Sequence, residues 1–108
     1  MKTWTIEFTA EAEDDIDSLD RSQRIQVDKA IHKVLLNPLP HSEGGYGKPL
    51  GSKQSNNLTG LLQIKLLKIG IRVVYKLIRT DEIMKIIVVA ARADDEVYEI
   101  ALKRMYII

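Results

Sequence analysis

At the start of the chain Trp4, Ile6 and Phe8 alternate with Thr3, Thr5 and Glu7, a period of two that predicts a half-buried strand. Thr9 follows as a helix N-cap, and Glu11, Glu13, Asp14 and Asp15 load the first turns, where the helix dipole favours negative charge. This first helix is predicted from about Ala10 to Leu19. Asp20, with Gln23 three residues on, has the form of a capping pair that opens a second helix. Ile25, Val27, Ala30, Ile31, Val34 and Leu35 give that helix its apolar stripe, and Asn37-Pro38 ends it because proline cannot continue the hydrogen-bond ladder. Residues 37–60 hold all three prolines and five of the six glycines, which predicts a long connection with a short turn of structure near Lys48-Pro49-Leu50. Three strands are predicted next: Leu61–Leu67, Ile71–Ile78 and Met84–Ala91, the last the most apolar and therefore central. A final helix is capped by Asp94 or Asp95 and runs to about Arg104, with Val97, Ala101 and Met105 along one side. The predicted order is β-α-α-β-β-β-α. This is an α+β fold: a small, mainly antiparallel sheet with a two-helix hairpin on one face and a short C-terminal helix.

Length and composition narrow the class. With 108 residues, 45% of them hydrophobic and 29% charged, the chain has the make-up of one globular domain, expected to span residues 1–108. No apolar run approaches the roughly 20 residues of a membrane-spanning helix, and the N-terminus lacks the apolar region of a signal peptide. No membrane association is expected, and a cytoplasmic location is the simplest expectation. The absence of cysteine removes disulfides, thiolate metal ligands and a cysteine nucleophile together.

Charge then singles out the second half. From Lys48 to Thr80 run seven cations (Lys48, Lys53, Lys65, Lys68, Arg72, Lys76 and Arg79) and no acid. Residues 1–47 carry five cations against nine anions, and residues 48–108 carry eleven against six, so a net charge of +1 conceals −4 and +5. A cationic sheet surface of this kind attracts a polyanion such as a nucleic-acid backbone. If Ile69-Gly70 forms a two-residue hairpin loop, Leu67 lies opposite Arg72, Lys65 opposite Val74 and Gln63 opposite Lys76. Gln63, Lys65, Arg72 and Lys76 then share one face, while Ile64, Leu66, Val73 and Tyr75 point toward the helices. Arg92 leaves the end of the apolar strand, and Tyr98, six residues on, offers a ring on which a base can stack.

The fragments Ile64-Lys65-Leu66, Gly70-Ile71-Arg72-Val73-Val74-Tyr75, Val88-Val89-Ala90-Ala91-Arg92 and Glu96-Val97-Tyr98 occur in order and at characteristic spacings. In these the chain resembles the RelE/ParE superfamily of bacterial toxins, the small partners of type II toxin–antitoxin pairs, and the likeness extends over nearly its whole length. At the positions expected to act it is similar to the RelE branch. That resemblance implies an mRNA endoribonuclease, acting on the ribosome and without a metal or other cofactor, in which the RNA's own 2′-hydroxyl attacks the adjacent phosphate. It implies Lys65 as general base, Arg72 as phosphate stabiliser, Arg92 as general acid and Tyr98 as the base-stacking residue. Lys48, Lys53, Gln63, Lys68 and Lys76 are expected to bind RNA. The family carries a second lysine where this chain has Gln63, which can donate a hydrogen bond but brings no charge.

Such chemistry suits the residue types. Transesterification at phosphorus builds negative charge that clustered Arg and Lys stabilise, and crowded cations lower a lysine's proton affinity, as a lysine base requires. The two histidines lie in the other half: His32 on the second helix reads as structural or solvated, and His41 in the long connection could approach RNA. The acids of the first helix do not all share a face, so they read as a solvated, dipole-favoured N-terminus and no metal site is expected. The resemblance also implies a cognate antitoxin of the RelB or another type II kind, with DNA contacted only indirectly through the toxin–antitoxin complex. Two other functions fit the same fold: a ParE-like poison of DNA gyrase, which does not need the Lys65–Arg72 pair, and an inactive remnant kept for antitoxin binding.

Overall fold

The computed structural model describes residues 3–53, 56–91 and 94–106, and the side chains of 51–53, 56–59, 94, 95 and 106 are outside that description. The elements are β1 (Thr5–Phe8), α1 (Ala10–Asp17), α2 (Arg21–Leu35), β2 (Lys48–Lys53), β3 (Asn56–Leu66), β4 (Ile71–Ile78), β5 (Ile83–Ala90) and α3 (Asp94–Tyr106), with a 3-10 turn at His41–Glu43. The five strands form one sheet in the order β1-β5-β4-β3-β2. Every neighbouring pair is antiparallel except β1 with β5. The architecture is the predicted α+β one, with an edge strand, β2, where a mostly irregular connection was expected.

Local signals in the sequence account for the helices. Thr9 Oγ1 accepts from the Ala12 amide at 3.1 Å and opens α1. Asp20 and Gln23 form a reciprocal capping box, the Gln23 amide donating to Asp20 Oδ1 at 2.8 Å and the Asp20 amide to Gln23 Oε1 at 3.1 Å. Helix α2 stops ahead of Pro38, and the segment beyond it is not a free loop. The Tyr46 amide donates to Asn37 O, the Gly47 amide to Leu39 O and the His41 amide to Gly47 O, each at 2.9 Å. The Tyr75 hydroxyl donates to Pro38 O at 2.8 Å from inside the core, which fastens this segment to the sheet. Desolvation raises the Tyr75 pKa well above its ordinary value, so this hydroxyl stays protonated and a donor. Gly47 is required there for space, because a Cβ would collide with the Tyr75 hydroxyl.

Both faces of the sheet are covered, but unequally. Helices α1 and α2 lie over one face, where Ala12, Val27, Ile31 and Val34 pack with Leu62, Ile71, Val73, Tyr75, Met84, Ile86 and Val89. Helix α3 crosses the other face, where Val97, Tyr98 and Ala101 pack with Leu50, Leu61, Val74, Ile87 and Val88. Strand β4 is the middle strand, so Val73, Val74 and Tyr75 are all wholly buried although successive side chains point to opposite faces. The apolar β5 lies inside the sheet, between β1 and β4. It carries a β-bulge: Val74 pairs with Val88 and Tyr75 with Ile86, leaving Ile87 as the extra residue. The bulge sends Ile87 and Val88 together into the α3 cluster, which strict alternation would forbid.

Candidate functional site

The hairpin of β3 and β4 turns through four residues, Leu67 to Gly70, after the last pair Leu66–Ile71. Gly70 takes φ +66°, which a side chain would strain. Because the loop has four residues where two were expected, the register is shifted by two. Lys65 lies directly opposite Arg72, Gln63 opposite Val74 and Leu61 opposite Lys76. A shift by an even number keeps the parity, so Gln63, Lys65, Arg72 and Lys76 do share the sheet face turned away from α1 and α2. The correction brings Lys65 and Arg72 closer than expected, since directly opposed residues have Cβ atoms about 4.5–5.5 Å apart.

Three rows run across this face. The first is Lys65, Arg72 and Ala90; the second Lys48, Gln63, Val74 and Val88; the third Leu61, Lys76, Lys85 and Glu7. Helix α3 buries the middle of the second row, and with it Gln63, which is only 3% exposed and whose Oε1 has no hydrogen-bond partner among the described residues. The cationic face is therefore divided: Lys65 and Arg72 stand on one side of the buried row, Lys76 and Lys85 on the other. All four are half-buried, and the Nε of the Arg72 guanidinium is itself buried. Lys48 and Lys68 are exposed, Lys48 on β2 and Lys68 in the hairpin turn.

Tyr98 is packed into the α3 cluster with 3% of its surface exposed, and its ring meets the sheet in this structure. Lys65, Arg72 and Tyr98 each have a partner in the folded chain. Arg92 lies outside the described residues, as does the side chain of Lys53 at the end of β2. Arg79 pairs away from this site, its two Nη atoms donating to the Glu43 carboxylate at 3.0 and 2.7 Å. That hydrogen-bonded pairing holds the Glu43 carboxyl below its ordinary pKa. His32 stands on α2 over Asp28, and His41 is exposed in the 3-10 turn. No group of three or more His, Cys, Asp or Glu able to hold a metal stands among the described residues, and no helix there is long and apolar enough to cross a membrane.

Two features were out of reach of the sequence reading. Lys85 lies beyond the acid-free run, and only its pairing with Lys76 shows that it joins the cationic face. Asp15, expected to be one solvated acid among several, is instead only 19% exposed and bonded to Arg104 at 2.7 Å across 89 positions of chain. No local signal marks a pair so distant.

No family model matches the sequence, and no curated protein does. Solved structures do match. The isolated RelE toxin of E. coli is 26% identical, with 94% of this chain and 98% of that one covered and a TM-score of 0.67. An Arg-to-Ala double mutant of E. coli RelE in the free state is 24% identical over 96% of this chain and 99% of that one, with a TM-score of 0.72. The RelBE2 toxin–antitoxin complex of Mycobacterium tuberculosis gives 21% identity, 84% and 100% coverage and a TM-score of 0.56. Matched over nearly its whole length, the chain has the fold of the RelE toxins, and this likeness supports a place in the RelE-like toxin superfamily.

Proposed function

We propose that this protein is the toxin of a type II toxin–antitoxin pair and that it acts as an mRNA endoribonuclease on the ribosome. The observation that carries the reading is the Lys65–Arg72 pair, directly opposed on adjacent strands beside the hairpin turn, on the face that α1 and α2 leave open. In the reaction the 2′-hydroxyl of a ribose attacks the adjoining phosphorus as the bond to the 5′ oxygen of the next nucleotide breaks. Lys65 in its neutral form takes the 2′ proton, Arg72 stabilises the charge on the non-bridging oxygens, and Arg92 gives a proton to the leaving oxygen. The products are a 2′,3′-cyclic phosphate and a 5′-hydroxyl, with no metal required by the balance of the step.

Lys48, Lys68 and Lys76 bind the RNA backbone in this scheme, and Lys53 extends the track at the end of β2. Gln63 contributes from below, as the floor on which α3 rests. Stacking of a base on Tyr98 requires α3 to shift, because the ring is covered in the free chain. The solved RelE structures include one of an E. coli toxin bound to an antitoxin peptide, and a cognate antitoxin with acidic residues set against Lys65 and Arg72 is the corresponding partner here. Incubating the purified chain with translating ribosomes and end-labelled mRNA tests the proposal. Discrete cuts ending in 2′,3′-cyclic phosphate support it. Intact mRNA, with gyrase-dependent DNA breaks in cells that express the chain, would overturn it in favour of a gyrase poison.

A further inference from the structure

Strand β5 is only half flanked on its β1 side. The parallel pairing runs from Thr5–Ile83 to Phe8–Ile86, and the last backbone bond of that ladder is from the Thr9 amide to Ile86 O at 3.1 Å. The chain then turns into α1, so among the described residues no strand lies beside the backbone of β5 past the bulge on that edge. Buried backbone groups left in this way must find side chains. Here Asp15 and Arg104 supply them. Asp15 Oδ2 accepts from the Val89 amide at 2.9 Å, and Arg104 Nη1 donates to Ile87 O at 2.7 Å. The two side chains also bind each other, Arg104 Nη1 to Asp15 Oδ2 at 2.7 Å and Nη2 to Oδ1 at 3.2 Å. Their side chains are 19% and 21% exposed.

The clamped segment is the one that matters to the site. Val89 and Ala90 pair across β4 with Val73 and Arg72, so the strand that Asp15 holds is the immediate neighbour of Arg72. In sequence the same strand leads on to Arg92. Through Arg104 the carboxylate also fixes α3, the helix that carries Tyr98. One acid thus ties the strand beside Arg72 and the helix that carries Tyr98 to a common frame. Simple stabilisation is a weaker account of such a pair, since a sheltered ion pair contributes little net stability beside an apolar replacement.

Building on that ribonuclease reading, we propose that Asp15 is a positioning residue, whose carboxylate takes the place of a missing strand beside β5 and, with Arg104, sets the geometry of Arg72 about the scissile phosphate. Asp15→Ala, assayed on ribosome-bound mRNA well below its melting temperature and normalised to the folded fraction, is expected to lose turnover by about tenfold to 10²-fold, the effect of roughly 1 Å of misplacement. KM should stay within about twofold, because the exposed lysines that bind RNA are untouched. Amide exchange at Val89 should accelerate in the same variant, since its bonding partner is gone. Val27→Ala, a core change in α2, serves as the control: it lowers stability but should keep full turnover per folded molecule. Where Asp15→Ala does not fold, Asp15→Asn (which keeps an acceptor for Val89) and Arg104→Lys are read in its place, with a smaller loss of turnover expected. Wild-type turnover in the Asp15 variants at matched folded fraction, or lost turnover in Asp15→Ala with Val89 exchange unchanged, would overturn the positioning role. Absence of cleavage by the wild-type chain overturns the ribonuclease reading itself, and is distinguished by occurring before any substitution is made.

Discussion

Gln63, the position at which the resemblance to RelE-type enzymes implies a lysine, is buried in this chain. Its side chain is 3% exposed beneath α3, and its Oε1 has no hydrogen-bond partner among the described residues. An orphaned buried acceptor costs about 1–3 kcal/mol. Methionine has a similar length and flexibility and no such acceptor, so Gln63→Met should stabilise the protein by about 1 kcal/mol. For 108 residues, an unfolding entropy of about 2.1 cal/mol/K per residue makes 1 kcal/mol worth about 4 °C in melting temperature. Gln63→Lys should do the reverse. An ammonium under α3 must be desolvated or must push the helix off the sheet, and a loss of about 3 kcal/mol, or about 13 °C, is expected. Thermal melts followed by circular dichroism and calorimetry at one pH and ionic strength measure both. A lower melting temperature for Gln63→Met, or an unchanged one for Gln63→Lys, would refute the reasoning that α3 seals this position.

The segment between α2 and β2 gives a coupling prediction. Tyr75→Phe removes the bond to Pro38 O and should cost about 1–2 kcal/mol, and Gly47→Ala should cost less in that background than in the wild type, because the hydroxyl its Cβ meets is gone. A denaturant double-mutant cycle should give a coupling of about 1 kcal/mol, and additivity within about 0.3 kcal/mol would contradict the packing described. At the site, Lys65→Ala and Arg72→Ala should each reduce mRNA cleavage by about 10²-fold or more while the melting temperature moves little. Lys68→Ala, in the exposed turn, should mainly raise KM. Kinetics on programmed ribosomes measure all three, and an unimpaired Lys65→Ala would remove the proposed base.

What the sequence disclosed was whatever is encoded within a few residues. Thr9, Asp20 and Gln23 announce helix starts by bonding their own first turns, Pro38 announces a stop, and the alternation in β1 separates its half-buried positions from its exposed ones. Strand β2 stayed hidden because Pro49 and Gly51 carry poor strand propensity, and an edge position tolerates them where an inner strand would not. The hairpin register was misread by two because Gly70 marks a turn without fixing its length. The parity survived, and with it the shared face of Lys65 and Arg72. The bulge at Ile87, the burial of Gln63 and Tyr98 under α3, and the Asp15–Arg104 pair depend on contacts between distant segments. No window of the sequence contains them.

The central claim is that the RNA's own 2′-hydroxyl is the nucleophile at a phosphate held by Lys65 and Arg72. Its most direct test is a pair of ribosome-bound mRNAs that differ only by a single 2′-deoxyribose at the mapped cleavage site. The account predicts cutting of the all-ribose message, with a 2′,3′-cyclic phosphate on the upstream fragment, and no cutting at the deoxy position. Equal cleavage of both messages would contradict it.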